Sequence, residues 1–335
     1  MILVDSVYVN NGGGRILLDY LVRSLVSYDN VYFLFDERCI GSYDYIPSCR
    51  RSFLKASLYG RDRFYREHND VFDFVLCFGN LAPTQRIRAK VFTYFHQPLY
   101  LNVPLSVPFK SRALFRLKAF VFGLLLRNTD YILVQSPNMA KLCESKFPYA
   151  KGKMMILPFY PNDDLKDYGM HSKGNLIYVS SGAAHKNHFT LIGAFCDAYD
   201  ALGYGRLTLT ISKGSNPKLE ELIRHKVDLG YPIRNIGFVD RDRLINEYND
   251  SEYLIFPSLE ESFGLGLVEA IECGCKVIGA DRPYTYQVCM PSIVFDPLVA
   301  DSIRDAILRS QEPNVPQTKQ AIFNEIDQLI ELITQ

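Results

Sequence analysis

Two glutamates that follow a predicted strand are the residues of this sequence with the clearest chemical potential. Glu261 and Glu269 stand eight positions apart, and Gly264 and Gly266 lie between them. The apolar run YLIFP at 253–257 predicts a buried strand immediately upstream, and the segment after the glycines predicts a helix. One carboxylate therefore stands on a strand-to-helix loop, and the other stands in the first turns of the helix, near its positive end.

This arrangement suits a ligand that carries both hydroxyl and phosphate groups. A carboxylate accepts hydrogen bonds from hydroxyls, and the free N–H groups of a glycine loop at a helix start bind phosphate. The pattern fits a nucleotide sugar, with Glu269 on the ribose diol, the loop on the diphosphate and Glu261 on the sugar. The alternative is a helix whose acidic first turns only complement its dipole.

Lys186 lies in a second strand-to-helix turn. It belongs to SSGAAHKNHFTL at 180–191, just before a helix that we predict to begin near Asn187. A lysine beside the free N–H groups of a helix start makes a phosphate site, and the alternative is a solvated lysine on a loop. His185 and His188 flank it, but no further metal ligands stand at a recognisable spacing, so we predict no metal.

Two loops of the N-terminal half are also candidates for ligand contact. VNNGGGR at 9–15 separates the first predicted strand from the first predicted helix, and its glycines permit close approach of a ligand to the backbone. His96, within YFHQPLYL at 94–101, directly follows a buried strand at its carboxyl end, where ligands of α/β sheets bind. The alternatives are a flexible turn and a structural histidine.

The elements that position these residues alternate between strand-like and helix-like segments. Continuous apolar strands that alternate with helices predict parallel sheets with helices on both faces, here as two doubly wound, Rossmann-like α/β domains. The cleft between such domains is the expected ligand site. The predicted boundaries are 1–160 for the first domain, 161–175 for a linker, 176–316 for the second domain and 317–335 for a C-terminal helix.

Composition excludes several classes of protein. Lys plus Arg and Asp plus Glu both number 37, so the chain lacks the basic footprint of a nucleic-acid binder. The eight cysteines are scattered without a C-x-x-C pair, which indicates reduced thiols in a cytoplasmic protein. MILVDSVYVN reads as a first strand and not as a signal peptide, and no apolar run approaches the roughly 18 residues of a membrane span.

The segment 109–127 combines apolar and basic residues at helical spacing. A basic, aromatic-rich helix can lie on an anionic membrane surface, which would suit a lipid-linked acceptor. The alternative is a core helix whose basic residues face water. The basic residues of this segment are Lys110, Arg112, Arg116, Lys118 and Arg127.

The E-x7-E element from Glu261 to Glu269 resembles the signature of the retaining glycosyltransferases of family 4, which have the GT-B fold. The surrounding segment, YLIFPSLEESFGLGLVEAIECGCKVIGAD at 253–281, resembles that family almost residue for residue. Four shorter segments are also similar to family motifs: HKN at 185–187, IGFVDRDRLINEY at 236–248, GGG at 12–14 and FHQP at 95–98.

This resemblance implies a division of roles between two facing domains. The second domain would bind a nucleotide-diphosphate sugar, the first would bind a glycan or lipid-linked acceptor, and the last helix would cross back to the first domain. Retention of the anomeric configuration would need no metal, so DRD at 240–242 is interpreted as a loop. The implied catalytic residues are His96, Glu261 and Lys186. The implied donor-binding residues are Gly13, Gly14, Ser181, Lys186, Lys213, Phe238, Ser262, Phe263, Gly264, Leu265 and Glu269.

The chain departs from the family pattern at one position. Ser181 stands where the family often has an arginine in the donor phosphate turn, and Lys213 or Arg15 is the candidate substitute. The leading hypothesis is a cytoplasmic enzyme that builds a bacterial surface polysaccharide such as O-antigen or capsule. The alternatives are an inactive glycosyltransferase-like binding partner, a GT-B sugar-nucleotide epimerase and a glycan phosphorylase.

Overall fold

The computed structural model describes residues 1–103, 108–162 and 164–334, and the chain divides into two compact units. The first unit holds Met1–Val103, Pro108–Pro161 and the C-terminal segment from Phe323. The second holds Asn162–Ile322.

The first unit is built on a seven-stranded parallel sheet. Its strand order is β3-β2-β1-β4-β5-β6-β7, so the loops after β1, β4 and β5 lie side by side at the carboxyl edge. The strands are β1 Ile2–Asp5, β2 Val31–Asp36, β3 Arg51–Leu54, β4 Phe74–Cys77, β5 Lys90–Phe95, β6 Tyr131–Val134 and β7 Met154–Ile156. The helices between them are α1 Gly12–Leu25, α2 Leu58–Glu67, α3 Phe109–Leu125 and α4 Pro137–Lys146.

The second unit repeats this plan with six parallel strands. Its order is β10-β9-β8-β11-β12-β14. The strands are β8 Ser172–Tyr178, β9 Arg206–Leu209, β10 Ile233–Asn235, β11 Ser251–Phe256, β12 Lys276–Ala280, β13 Cys289–Met290, β14 Ile293–Phe295 and β15 Lys319–Gln320, of which β13 and β15 form a separate antiparallel pair. The helices are α5 His188–Leu202, α6 Pro217–Asp228, α7 Arg241–Asn249, α8 Leu265–Glu272, α9 Pro283–Val288 and α10 Ala300–Arg309.

Several element boundaries differ from the predicted ones. α1 begins at Gly12, so the glycines form its first turn and not a separate loop. β8 begins at Ser172, inside the predicted linker, because Ser172 pairs with Ser251 of β11. The C-terminal helix α11, Ile326–Thr334, is shorter than the predicted 317–335, because Lys319 and Gln320 pair with β13 instead.

α11 is part of the first unit. The backbone N–H of Glu325 donates to the carbonyl of Pro158 at 2.8 Å. The amide of Asn324 donates to the hydroxyl of Tyr20, on α1, at 2.8 Å. The buried apolar residues of the helix are Ile326, Leu329 and Ile333.

The sequence analysis missed β3 and α2. β3 is a short edge strand whose residues are all half-buried, so it shows no apolar run. α2 is polar on most of its surface and contributes the fully buried Arg61 to the core. A helix that buries a charged residue through an ion pair lacks a continuous apolar face, so hydrophobic periodicity does not reveal it.

Candidate functional site

The loop after β11 and the start of α8 hold the two glutamates of the signature. Gly264 caps α8 with φ +83°, a left-handed conformation that disfavours side chains, and a Cβ there would lie 2.9 Å from Cδ1 of Leu267. Phe263 is buried beside it and fixes the loop to the core. The helix therefore begins at Leu265 and carries Glu269 on its inner face.

Lys186 and Glu261 form an ion pair in the second unit, between the loops after β8 and β11. Lys186 Nζ lies 2.5 Å from Glu261 Oε1, and both side chains are mostly shielded, with 17% and 12% of their surface exposed. The Ser258 hydroxyl donates to the same carboxylate oxygen at 2.6 Å. The fold thus places a cation suited to phosphate in direct contact with an acceptor suited to hydroxyls, although the two residues are 75 positions apart in the chain.

Buried hydroxyls hold this pair in place. The Tyr178 hydroxyl, at the end of β8, lies 2.9 Å from both the Lys186 carbonyl and the Ser258 hydroxyl. The Tyr284 hydroxyl donates to the Ser258 carbonyl at 2.6 Å, and the backbone N–H of Leu259 donates to the His185 carbonyl at 2.8 Å. The two loops are therefore joined by their backbones as well as by their charges.

His188 shapes the turn that contains Ser181. The ring is buried at the start of α5, and its Nε2 lies 2.9 Å from the Ser180 hydroxyl and 3.0 Å from the Ser181 carbonyl. Burial lowers the pKa of His188 to about 4, and burial together with Lys186 lowers the pKa of His185 to about 4. Both rings are therefore neutral at physiological pH, and Lys186 is the cation of this turn.

Glu269 occupies a buried polar pocket on the inner face of α8. Its Oε2 accepts from the Tyr248 hydroxyl at 3.1 Å, and its Oε1 accepts from Nη1 of Arg241 at 3.0 Å. Burial raises the pKa of the carboxyl group, and the charge and hydrogen bonds of Arg241 oppose that increase. Sequence analysis missed Arg241 and Tyr248, because nothing in the local pattern marks residues 28 and 21 positions away as partners of Glu269.

The parallel sheet places four loops of the second unit in succession at one edge. Their order follows the neighbouring strands β10, β9, β8 and β11. Phe238 follows β10 and is 87% exposed, and Lys213 follows β9 and is also exposed. Ser181 is exposed after β8, and Ser262 is half-buried after β11. The predicted donor residues of the C-terminal half therefore share one edge of one sheet.

The first unit brings Gly14 and His96 together. A Cβ on Gly14 would lie 3.1 Å from Cε1 of His96, so glycine lets the ring pack against the first turn of α1. Asn80, after β4, accepts from the backbone N–H of His96 at 2.8 Å, and His96 Nε2 lies 3.2 Å from the Phe78 carbonyl. Burial lowers the pKa of His96 to about 4, which makes it a neutral ring. Gly13 belongs to the same helical turn.

Local contacts hold two charged residues that the sequence hypotheses concern. The guanidinium of Arg15, a candidate substitute for the missing arginine, is held in the first unit by Asp19 at 2.8 Å and lies over the ring of Tyr43. Asp240 caps α7 by accepting from the backbone N–H of Arg243 at 2.9 Å, so DRD is the start of a helix and not the predicted loop. In the ranges 1–103, 108–162 and 164–334, no three His, Cys, Asp or Glu side chains cluster as a metal site would require.

Residues 166–309, which lie in the second unit, match the family model described as glycosyl transferases group 1. The GtfA subunit of the UDP-N-acetylglucosamine–peptide N-acetylglucosaminyltransferase of Streptococcus pneumoniae serotype 4 is 25% identical over 205 residues. That alignment covers 60% of this chain and 38% of the relative, so the chain spans well under half of the relative's length.

Two solved structures share the fold along nearly the whole chain. Sucrose-phosphate synthase from Thermosynechococcus elongatus has a TM-score of 0.71 at 17% sequence identity. The alignment covers 92% of this chain and 88% of the synthase chain. HepE from Anabaena, in complex with UDP-glucose, has a TM-score of 0.68 at 15% sequence identity. The alignment covers 93% of this chain and 89% of the HepE chain. These likenesses show the GT-B fold, with two parallel-sheet α/β units, and confirm the predicted fold class.

Proposed function

We propose that this chain is a retaining glycosyltransferase of family 4, which transfers a sugar from a nucleotide-diphosphate sugar to a glycan or lipid-linked acceptor. The observation that carries the proposal is the Lys186–Glu261 pair beside the Gly264 cap, within the region that matches glycosyl transferases group 1. The relatives named above add support, since the streptococcal enzyme is named for a UDP-sugar and the Anabaena protein holds one.

The second unit would bind the donor along its sheet edge. Glu269 would accept hydrogen bonds from the ribose diol, and the exposed ring of Phe238 would lie against the base. The N–H groups from Phe263 to Leu265 at the α8 start would meet the phosphates and sugar, with Ser262, Lys213 and Ser181 nearby in the same row of loops.

Transfer breaks the bond between the anomeric carbon and the β-phosphate oxygen and forms a bond from that carbon to an acceptor oxygen. The leaving diphosphate gains negative charge, and Lys186 with the α8 N–H groups would stabilise it in the transition state. The acceptor proton would pass to the departing phosphate oxygen on the same face, which retains configuration and needs no protein nucleophile or metal. Glu261 would orient the sugar by accepting from its hydroxyls.

The first unit would contribute the acceptor side of the reaction. His96, whose pKa is lowered by burial and whose backbone is held by Asn80, would offer its ring to the sugar, and Gly13 and Gly14 would present N–H groups at the start of α1. We place the reaction in the cytoplasm, in synthesis of a surface polysaccharide. All eight cysteines are free thiols and seven are buried, which suits a reducing compartment.

Replacement of Glu269 with glutamine tests donor binding. The change removes the charge without changing the size of the buried side chain, so the ribose diol loses charge-assisted hydrogen bonds worth about 1.5–3 kcal/mol. We expect calorimetry to show affinity for the nucleoside diphosphate reduced by roughly 10- to 150-fold. The wild-type chain is first screened with UDP-, GDP- and ADP-sugars for binding and for transfer to glycan, lipid-linked and peptide acceptors.

Glu272→Gln is the matched control, because Glu272 ends the same helix and its carboxylate accepts from Gln320 instead. We expect this control to bind like the wild type. Equal binding by Glu269→Gln and the wild type would contradict the ribose assignment, and a wild-type chain that neither binds nor transfers any sugar nucleotide would contradict the function.

We further propose that α3 rests on an anionic membrane surface and brings the enzyme to a lipid-linked acceptor. One face of α3 packs on the core through Phe122, whose ring stacks on Phe95 at 4.3 Å. The other face exposes Phe109, Leu117 and Phe120 to 73%, 60% and 64%. Basic residues flank this stripe, and the sequence holds no Asp or Glu from 109 to 129. An apolar stripe on a helix whose charged residues are all basic complements an anionic bilayer.

Vesicle co-sedimentation tests this surface. We expect binding to vesicles that contain phosphatidylglycerol and little binding to pure phosphatidylcholine. Since each cation near such a surface contributes about 1 kcal/mol, Arg116→Glu/Lys118→Glu should lower partitioning by at least about 10-fold. Leu117→Glu/Phe120→Glu should do the same, whereas Tyr59→Glu, a control at an 80% exposed aromatic of α2, should not. Equal binding by all variants, or no binding by the wild type, would contradict the proposal that α3 binds the membrane.

A further inference from the structure

Arg241 lies between two carboxylates at the start of α7. Its Nε and Nη2 donate to the two oxygens of Asp164 at 2.5 and 2.7 Å, and its Nη1 donates to Glu269 at 3.0 Å. A guanidinium bound through two parallel bonds on one side has its remaining donors fixed in direction. Asp164 therefore determines where Arg241 points, and Arg241 in turn fixes one oxygen of Glu269.

The contacts of Glu269 leave an acceptor position on each oxygen. An ionised carboxylate offers about four lone-pair positions, two on each oxygen. Arg241 takes one position on Oε1, and the Tyr248 hydroxyl takes one on Oε2. Within the described part of the chain these are the hydrogen bonds to the carboxylate, so one position on each oxygen is left there, which matches the two hydroxyls of a vicinal diol.

The charge on Glu269 also depends on Arg241. The carboxyl group is 3% exposed, and burial by itself raises its pKa. The groups that face it are Arg241, Tyr248, Asp164 and Cys273, and among these Arg241 is the cation. Without that cation the pKa would rise further, and a protonated carboxyl group would lose part of its capacity to accept hydrogen bonds from a diol.

We propose that Arg241 is a positioning residue of the donor site: it directs the Glu269 carboxylate at the ribose diol, and Asp164 directs Arg241. This assignment rests on the proposed function and adds two residues to it that lie outside the E-x7-E signature. It also gives a role to Arg241 within the DRD segment at 240–242, whose first aspartate serves as a helix cap.

The pH dependence of nucleotide binding separates this role from a structural one. The probes are UDP, GDP and ADP, each beside its 2′-deoxy counterpart, measured by calorimetry from pH 5.5 to 8.5. For Arg241→Gln we expect about 10-fold weaker binding at pH 7, since a charge-assisted contact is lost. The loss should grow as the pH falls toward the raised pKa of Glu269 and shrink above it, because protonation removes the acceptor. The wild type should lose less affinity than Arg241→Gln as the pH falls, because Arg241 opposes the burial that raises the pKa of Glu269.

Two variants and one analogue complete the test. Arg241→Lys keeps the charge and should recover part of the affinity, and Arg243→Gln, on the same helix, should bind like the wild type at every pH. Removal of the 2′-hydroxyl should weaken binding in the wild type and weaken it less in Arg241→Gln, with the smallest effect at low pH.

Three outcomes would overturn the assignment. Arg241→Gln could bind like Arg243→Gln. It could instead lose affinity by a factor that does not change with pH while the 2′-hydroxyl keeps its full effect, which would indicate a structural role only. Absence of nucleotide binding by the wild type would overturn the proposed function together with this assignment, whereas failure of Arg241 alone would leave Glu269 and the function standing.

Discussion

Replacement of Lys186 with alanine is expected to lower kcat by about 10²–10³-fold, equivalent to about 2.7–4 kcal/mol of transition-state stabilisation. Negative charge develops on the leaving diphosphate, and a preorganised cation stabilises it more in the transition state than in the bound donor. The family resemblance places Ser181 where an arginine is often found in this turn, so we expect Lys186 to carry this charge without that companion. KM for the donor should change much less than kcat.

Steady-state kinetics with the donor identified by the binding screen provides the measurement. Lys218→Ala is the control, because Lys218 is an exposed lysine on α6 of the same unit, and its activity should equal that of the wild type. Ser181→Arg in the Lys186→Ala background should recover part of kcat, since it returns a cation to the same turn. A kcat within threefold of the wild type for Lys186→Ala would remove the lysine from the catalytic site.

Replacement of Arg61 with methionine is expected to destabilise the first unit by about 3–5 kcal/mol, because it leaves Asp5 buried without its cation. Arg61 Nη2 lies 2.6 Å from Asp5 Oδ2, and each residue is 1% exposed. The Tyr65 hydroxyl donates to the same oxygen at 2.5 Å. Because the network is buried, a lost partner would leave a polar group out of reach of the solvent.

Urea denaturation followed by intrinsic fluorescence measures this loss. Arg63→Met on the same helix removes an exposed arginine whose partner is Glu67, and its free energy of unfolding should change by less than about 0.5 kcal/mol. Asp5→Leu/Arg61→Met removes both charges and should recover most of the stability, as replaced buried pairs commonly do. Equal midpoints for Arg61→Met and Arg63→Met would show that the buried pair contributes little.

The same arginine links stability to the candidate site. Arg61 donates to the carbonyls of Leu81 and Ala82 at 2.8 and 3.4 Å, in the loop that carries Asn80. Asn80 in turn holds the backbone of His96. Because this loop is fixed from inside the unit, variants of Arg61 that still fold should also lose turnover.

The sequence by itself determined the fold class and the order of the main elements. Apolar strands and amphipathic helices differ in the period of their hydrophobic residues, and this difference can be recognised in the sequence without knowing which elements pack together. It also placed Lys186, Glu261 and Glu269 on strand-to-helix loops or helix starts, because glycine and the end of an apolar run mark such turns locally. In a parallel sheet those turns share one edge, so their grouping followed from topology alone.

Only the tertiary structure decided which side chains meet. The contacts of Lys186 with Glu261 and of Arg241 with Asp164 and Glu269 join residues 28 to 77 positions apart. The buried Asp5–Arg61 pair made α2 undetectable from hydrophobic periodicity. The glycines of α1 were mistaken for a loop, although they form its first turn and Gly14 leaves room there for the ring of His96. Such contacts depend on the packing of whole elements, and no local pattern of residue types encodes them.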